Sequence, residues 1–240
     1  MAAVRAAFRR VILKLSGETL GRKGGEAFDL AALSFLCKSF RAAVEMGVEL
    51  GAVVGGGNII RGITAPAVGL PRVTADQMGM LATIINGLAL REVLEREGLK
   101  TRLFSCLDVG VLAEPYHPRR AVEALEQGEI AIFAGGTGNP FVSTDTAAVF
   151  RACDIEAQVV LKATKVGGIY SADPLVDPSA TRYDRVSYDE AMKLGLNIMD
   201  WPAIGLARAN RIPVIVFNFW EAGALKKILM GEKIGSLLSD

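Results

Sequence analysis

Short apolar runs alternate along the chain with longer stretches in which apolar residues recur every three or four positions. The short runs predict strands at Val11–Leu15, Glu49–Val54, Lys100–Ser105, Ile130–Ala134, Ala157–Lys162 and Ile212–Phe217. The longer stretches predict helices at about 29–46, 74–97, 119–127, 144–153, 187–194, 200–210 and 222–230. The strands are apolar on both faces, as buried parallel strands covered by helices must be. Strand–helix alternation with right-handed crossovers predicts an α/β fold. One segment breaks the rhythm. Gly167–Ser187 is rich in Pro, Asp, Ser and Gly and predicts a long loop or a hairpin, with turns at Asp173–Pro174 and Asp177–Pro178. Loops that long inside a compact domain usually serve function. The chain reads as one domain of two lobes, about 1–155 and 156–240.

Composition narrows the class. Hydrophobic residues make up 51% and charged residues 22%, which excludes a disordered chain. The net charge of +1, with no basic run, argues against nucleic acid as a partner. No apolar run approaches the roughly 18 residues that span a bilayer, so no membrane is expected. Residues 1–8 read as a lead-in to the first strand, because the apolar run that follows ends early at Lys14. Cys37, Cys106 and Cys153 are scattered and form no C-x-x-C, so free buried thiols in a reducing cytoplasm are expected. With His117 as the only histidine, a His/Cys metal site has almost no ligands.

Chemistry concentrates in four glycine-containing loops that follow strands. In parallel sheets these loops gather on one edge, where ligands bind. "LKLSGETLG" places Lys14 at a strand end, as a charge for a phosphate or an ordinary solvated lysine. "VVGGGNIIRG" offers backbone amides that can converge on an anion, and Arg61 adds a planar fork. "AIFAGGTGNPFVSTDTAA" supplies Thr137, Asn139 and Thr144 as directional groups. Ser143 or Thr144 could cap the helix beginning near Asp145. Asp145 itself either suits a first helical turn or, facing the cleft, orients a lysine or a magnesium-bound phosphate. "LKATKVGGIYSADP" contains Lys162 at a strand end, polar Thr164, Tyr170 as a ring for a flat base, and Asp173, which could simply open a turn.

Two helices add candidates. Thr74 could cap the long apolar helix "PRVTADQMGMLATIINGLALREVLERE", with Asp76 in its first turn as a dipole-favoured acid or an acceptor for ribose hydroxyls. Met78, Met80, Leu81, Ile84, Ile85, Leu88 and Leu90 cover more than one of its faces, which suits contact with both the sheet and a subunit partner. Asp200 reads first as the N-cap of the next-to-last helix.

The segments "KLSGE", "GGGNIIRG", "ADQMGMLAT", "GTGNPFVSTDTAA", "LKATKVGGIYSADP" and "PVIVFN" stand in an order that resembles the amino-acid-kinase family, and within it the uridylate branch. The resemblance runs from Lys14 to the C-terminus, and "GTGNPF" is its most specific piece. It implies a three-layer sandwich with a mostly parallel sheet, and phosphoryl transfer from ATP to UMP. It also implies magnesium carried on the ATP phosphates without a set of protein ligands, a homohexamer, and GTP and UTP as effectors. Lys14, Arg61 and Asp145 would be catalytic. Lys14, Leu15, Ser16, Gly17, Gly57, Arg61, Thr164, Tyr170 and Asp173 would contact ATP. Gly56, Asp76, Thr137, Gly138, Asn139, Pro140, Phe141, Val142, Ser143 and Thr144 would contact UMP. The N-terminal lobe would hold UMP and the C-terminal lobe ATP. Three departures stand out. Gly167 replaces a usual acid, Trp201-Pro202 replaces small or aliphatic residues, and 22–27 departs from the family's effector loop although Arg91 is retained. The alternatives are a same-fold kinase acting on a carboxylate or an isoprenoid phosphate, or a non-catalytic nucleotide-binding assembly.

Overall fold

The computed structural model describes residues 6–21, 26–60 and 69–240. Among these, nine strands form one sheet in the order β4-β3-β5-β2-β1-β6-β10-β11-β9. The strands are β1 (Arg10–Leu15), β2 (Glu49–Val54), β3 (Thr101–Ser105), β4 (Glu114–Pro115), β5 (Ile130–Ala134), β6 (Val159–Thr164), β9 (Arg185–Val186), β10 (Val214–Asn218) and β11 (Ser236–Leu238). All pairings in this sheet are parallel except β10 with β11. β7 (Ile169–Tyr170) and β8 (Arg182–Tyr183) form a separate antiparallel hairpin within the Pro/Asp-rich segment. The helices are α1 (Leu30–Glu45), α2 (Arg72–Arg96), α3 (Pro118–Glu126), α4 (Thr144–Asp154), α5 (Tyr188–Lys193), α6 (Trp201–Ala209) and α7 (Ala224–Leu229).

Alternation along the strands creates the layers. In β1, Val11, Leu13 and Leu15 enter a core with Phe40 of α1, Leu90 of α2 and Ile228 of α7. Ile12 enters the opposite core with Leu125 of α3, Ala148 of α4, Ala191 of α5 and Ile204 of α6. β6 repeats the division, with Val159 and Leu161 on the first side and Val160 on the second. Two-residue periodicity therefore turns Lys14 and Lys162 toward the α4 side. The result is an α/β three-layer sandwich, as expected.

β1 lies between β2 and β6, with β2, β5, β3 and β4 beyond one side and β6, β10, β11 and β9 on the other. The chain reverses its direction of strand addition here, and such switch points open a crevice at strand carboxyl ends. The expected strands all form, with ends shifted by one or two residues at β1, β3, β6 and β10. β7 and β8 form the hairpin that the turn-rich segment 167–187 allowed, while the unexpected β4, β9 and β11 have two or three residues each, too few to show a period. Pro71 occupies the N-cap position of α2, so Thr74 lies inside the helix rather than capping it.

Candidate active site

Three charged side chains meet at the carboxyl ends of β1 and β6. Lys14 and Lys162 are register partners on these parallel strands. Asp145, in the first turn of α4, receives Lys14 Nζ at 2.8 Å on Oδ1 and Lys162 Nζ at 2.7 Å on Oδ2. Burial by itself would raise the Asp145 carboxyl, but the two ammonium groups outweigh it and hold it at about 2. Burial lowers the Lys162 ammonium, opposed by Asp145 and reinforced by Lys14. Lys162 also donates to the Ile198 carbonyl.

The N-terminus of α4 is anchored from outside the helix. The Ser143 hydroxyl accepts from the Asp145 N–H at 3.0 Å, which is a true N-cap. It also donates to Asp200 Oδ1 at 2.8 Å. Asp200 accepts further bonds from the Ser143 N–H at 2.9 Å and the Thr146 hydroxyl at 2.7 Å. Asp200 holds the N-cap position of α6, yet its side chain makes no bond there. The N-cap expectation is thus corrected: the carboxylate braces α4, because Ser143 and Thr146 offer three donors in one direction.

Two cavities flank this cluster. The first, about 140 Å³, is lined by Gly56, Asp76, Thr83, Thr137, Asn139, Val142, Ser143 and Thr144, among others. Gly138, Pro140 and Phe141 lie on the same loop outside its lining. Phe141 is exposed, with φ 73°, a conformation that costs a side chain free energy. Its N–H donates to Asp76 Oδ2 at 2.8 Å, and Arg72 Nε reaches Asp76 at 2.7 and 2.9 Å. The second cavity, about 440 Å³, is lined by Lys162, Thr164, Tyr170, Asp173 and Ile198, among others. The Thr164 hydroxyl donates to the Val166 carbonyl at 2.7 Å with the Phe217 carbonyl 3.1 Å away, and Asp173 caps its own turn by accepting from the Leu175 N–H.

The β1 and β2 loops are interlocked. The Gly55 N–H donates to the Leu15 carbonyl at 2.9 Å. A Cβ on Gly17 would lie 2.3 Å from Asn58 Oδ1 and 2.7 Å from the Gly57 nitrogen. Leu15 is fully buried, which leaves its backbone as its contribution to the loop. Ser16 faces Thr19 with hydroxyls 3.1 Å apart. Arg61 lies outside the described residues, as do 22–25 of the expected effector loop. His117 caps α3 through Nδ1.

The chain as a whole has counterparts among known proteins. The model of the amino acid kinase family matches residues 9–218. The chain belongs to the amino acid kinase family. Among solved structures, the UMP kinase of Bacillus anthracis is similar at TM-score 0.94 and 39% identity, over 97% of this chain and 96% of that one. The UMP kinase of Ureaplasma parvum is similar at TM-score 0.90 and 31% identity, over 97% and 99%. The most central residue that the sequence reading left without a role is Lys162, the second lysine on Asp145. Lys162 was legible only as a strand end. Its signal was the repeated Leu-Lys at the ends of β1 and β6, each followed by a glycine-containing loop.

Proposed function

We propose that the chain transfers the terminal phosphoryl group of ATP to UMP, giving ADP and UDP. A UMP phosphate oxygen attacks the γ-phosphorus, the bond to the β–γ bridging oxygen breaks, and ADP leaves. No proton must move, because the acceptor phosphate is already ionised near neutral pH. The protein's task is to align two anions and stabilise charge on the transferring group. The Lys14–Asp145–Lys162 cluster between two cavities carries this reading. Two lysines and one aspartate leave one net positive charge facing the crevice.

UMP fits the first cavity, with Asp76 toward the ribose, Gly56 and Thr137–Thr144 around base and phosphate, and the N-terminal lobe as its holder. ATP fits the second, with Tyr170, Thr164 and Asp173 around the adenosine and Lys14–Gly17 and Gly57 toward the phosphates; a phosphate contact by Arg61 is proposed from the sequence alone. Magnesium would be held by the ATP phosphates rather than by a set of protein ligands, and would supply positive charge against the transferring group. Among the described residues no three His, Cys, Asp or Glu side chains gather to hold a metal, and the Asp145 carboxylate is taken by lysines. The ion is proposed to travel with the triphosphate.

Leu81 and Ile85 stay about half exposed on α2 in a single chain. That supports association between copies, for which a hexamer is the proposed state, with GTP and UTP as effectors. Among the described residues no helix is long and apolar enough to cross a membrane, and cytoplasmic placement is proposed. A coupled ADP-release assay with UMP, CMP, aspartate and acetylglutamate tests the assignment. Release with UMP is expected. Release only with a carboxylate substrate would replace it, and ATP binding without transfer would indicate a non-catalytic assembly.

A further inference from the structure

Thr83 is a buried hydroxyl on an otherwise apolar stretch of α2, with about 2% of its surface exposed. Its Oγ1 donates to the Met80 carbonyl at 2.7 Å, one turn back. The same oxygen accepts the Gly135 N–H, also at 2.7 Å. Gly135 is the first residue after β5 and opens the acceptor loop with φ +76°. A side chain there would crowd the Cys106 nitrogen and Ser105 Oγ at 3.0 Å, so the loop leaves the strand along one narrow path. Thr83 fixes that path from the helix side. Gly56 presses on the same stretch of α2: its added Cβ would lie 2.7 Å from the Gly79 carbonyl and 3.3 Å from the Thr83 nitrogen. The helix therefore supports both loops that line the first cavity, and Thr83 also forms part of the cavity wall. Seven residues earlier on the same helix, Asp76 holds the far end of the acceptor loop through the Phe141 N–H.

We propose that Thr83 is a positioning residue for the acceptor nucleotide. Its hydroxyl sets where the Gly135–Thr144 loop stands relative to Asp76, and so sets the width of the acceptor cavity. The inference rests on UMP being the ligand of that cavity. Thr83→Val keeps the branched shape and removes the acceptor, which leaves the Gly135 N–H buried and unpaired. Loss of one such bond is expected to weaken UMP binding about tenfold. ATP binding should change by less than about twofold, because the Thr83 hydroxyl bonds only to Met80 and Gly135 among the described residues. Thr83→Ser restores the hydroxyl and should restore UMP affinity.

The test is calorimetric titration of UMP and of ATP into the parent, Thr83→Val and Thr83→Ser proteins, with steady-state kcat and KM for each. Hydrogen exchange over residues 135–144 reports the loop directly and should quicken in Thr83→Val alone. If the parent does not bind UMP, the functional reading and this inference both fall. If the parent binds and Thr83→Val binds equally well, the role of Thr83 falls alone. Equal weakening toward both nucleotides would mean a merely structural threonine and would also overturn it. Should Thr83→Val not fold, Thr83→Ala is held to the same criteria.

Discussion

Lys14 and Lys162 stand directly opposite each other on neighbouring parallel strands. Like charges in that position repel. The arrangement persists because Asp145 enters from α4 with one carboxylate oxygen for each ammonium. The sheet sets the spacing of the lysines and the helix sets the aspartate, so the charge pattern is built from three separate elements before any ligand arrives. A preformed array of this kind is what stabilises developing charge without reorganisation during the reaction.

Each lysine should therefore matter in turnover. Lys14→Ala or Lys162→Ala is expected to lower kcat by roughly 10²–10³, the usual scale for removing one such electrostatic clamp. The double variant should lose less than the product of the two, because both lysines share Asp145. Circular dichroism would confirm folding, and single-turnover kinetics would separate chemistry from release. A Lys162→Ala protein within about threefold of the parent would remove that residue from the transfer step.

Acid stability follows from Asp145. The two lysines hold its carboxyl at about 2 in the folded chain, against an ordinary aspartate value of 3.8. A depressed acid binds more protons in the unfolded chain, so it stabilises the fold above the unfolded value and loses that contribution as pH falls through the folded one. The loss belongs between pH 3.8 and about 2. Asp145→Asn should have a shallower decline of melting temperature across that window and should be less stable than the parent above it. Identical acid limbs in the two proteins would contradict the pairing.

Asp200 acts on the site through α4. Its three accepted bonds tie Ser143 and Thr146 to the start of α6. Asp200→Asn keeps the size but replaces one acceptor oxygen with a donor facing other donors. A cost of about 1–3 kcal/mol is expected from unpaired groups, read as a lowered denaturation midpoint. Turnover should fall as well, because Ser143 caps the turn that carries Asp145. Trp201, the unusual neighbour, is about 60% exposed, and Pro202 sits where a helix start tolerates it. Trp201→Ala should leave kcat within about twofold.

Long periodic segments were readable from the sequence because one residue's neighbours in the chain are also its neighbours in the element. β1 with β6, and the seven helices, fall in this class. The glycine-rich loop after β5 was readable because Gly135, Gly136 and Gly138 all adopt positive φ, a demand that glycine records directly. Contacts between distant segments left weaker marks. Asp200 could be placed before a helix, but nothing nearby in sequence says that its carboxylate turns 57 positions back to Ser143. Lys162 likewise needs the β1–β6 register before its partner Asp145, 17 positions away, can be seen. The two-residue β4 and β9 depend on pairing alone and leave no pattern to read, whereas the β7–β8 hairpin was marked by its turn residues.

Glycines in this chain should respond to alanine in opposite directions according to what surrounds them. At Gly17 an added Cβ meets Asn58 Oδ1 at 2.3 Å and backbone atoms Gly57 N and Gly55 O at 2.7 and 2.9 Å. Asn58 cannot simply rotate away, because its amide donates to the Ala27 carbonyl and pairs with Asn86 in both directions. The backbone atoms cannot yield without opening the β1 loop from the β2 loop. Gly17→Ala should therefore raise the KM for ATP and lower kcat, together at least about tenfold, since small displacements at such sites have large kinetic effects. Gly205 lies inside α6 with open space around its missing Cβ. Gly205→Ala removes backbone freedom from the unfolded chain and should stabilise by about 0.5–1 kcal/mol. Melting curves and ATP-dependent rates on both variants check the contrast, and a Gly17→Ala protein with parental ATP kinetics would show that the two loops need not touch.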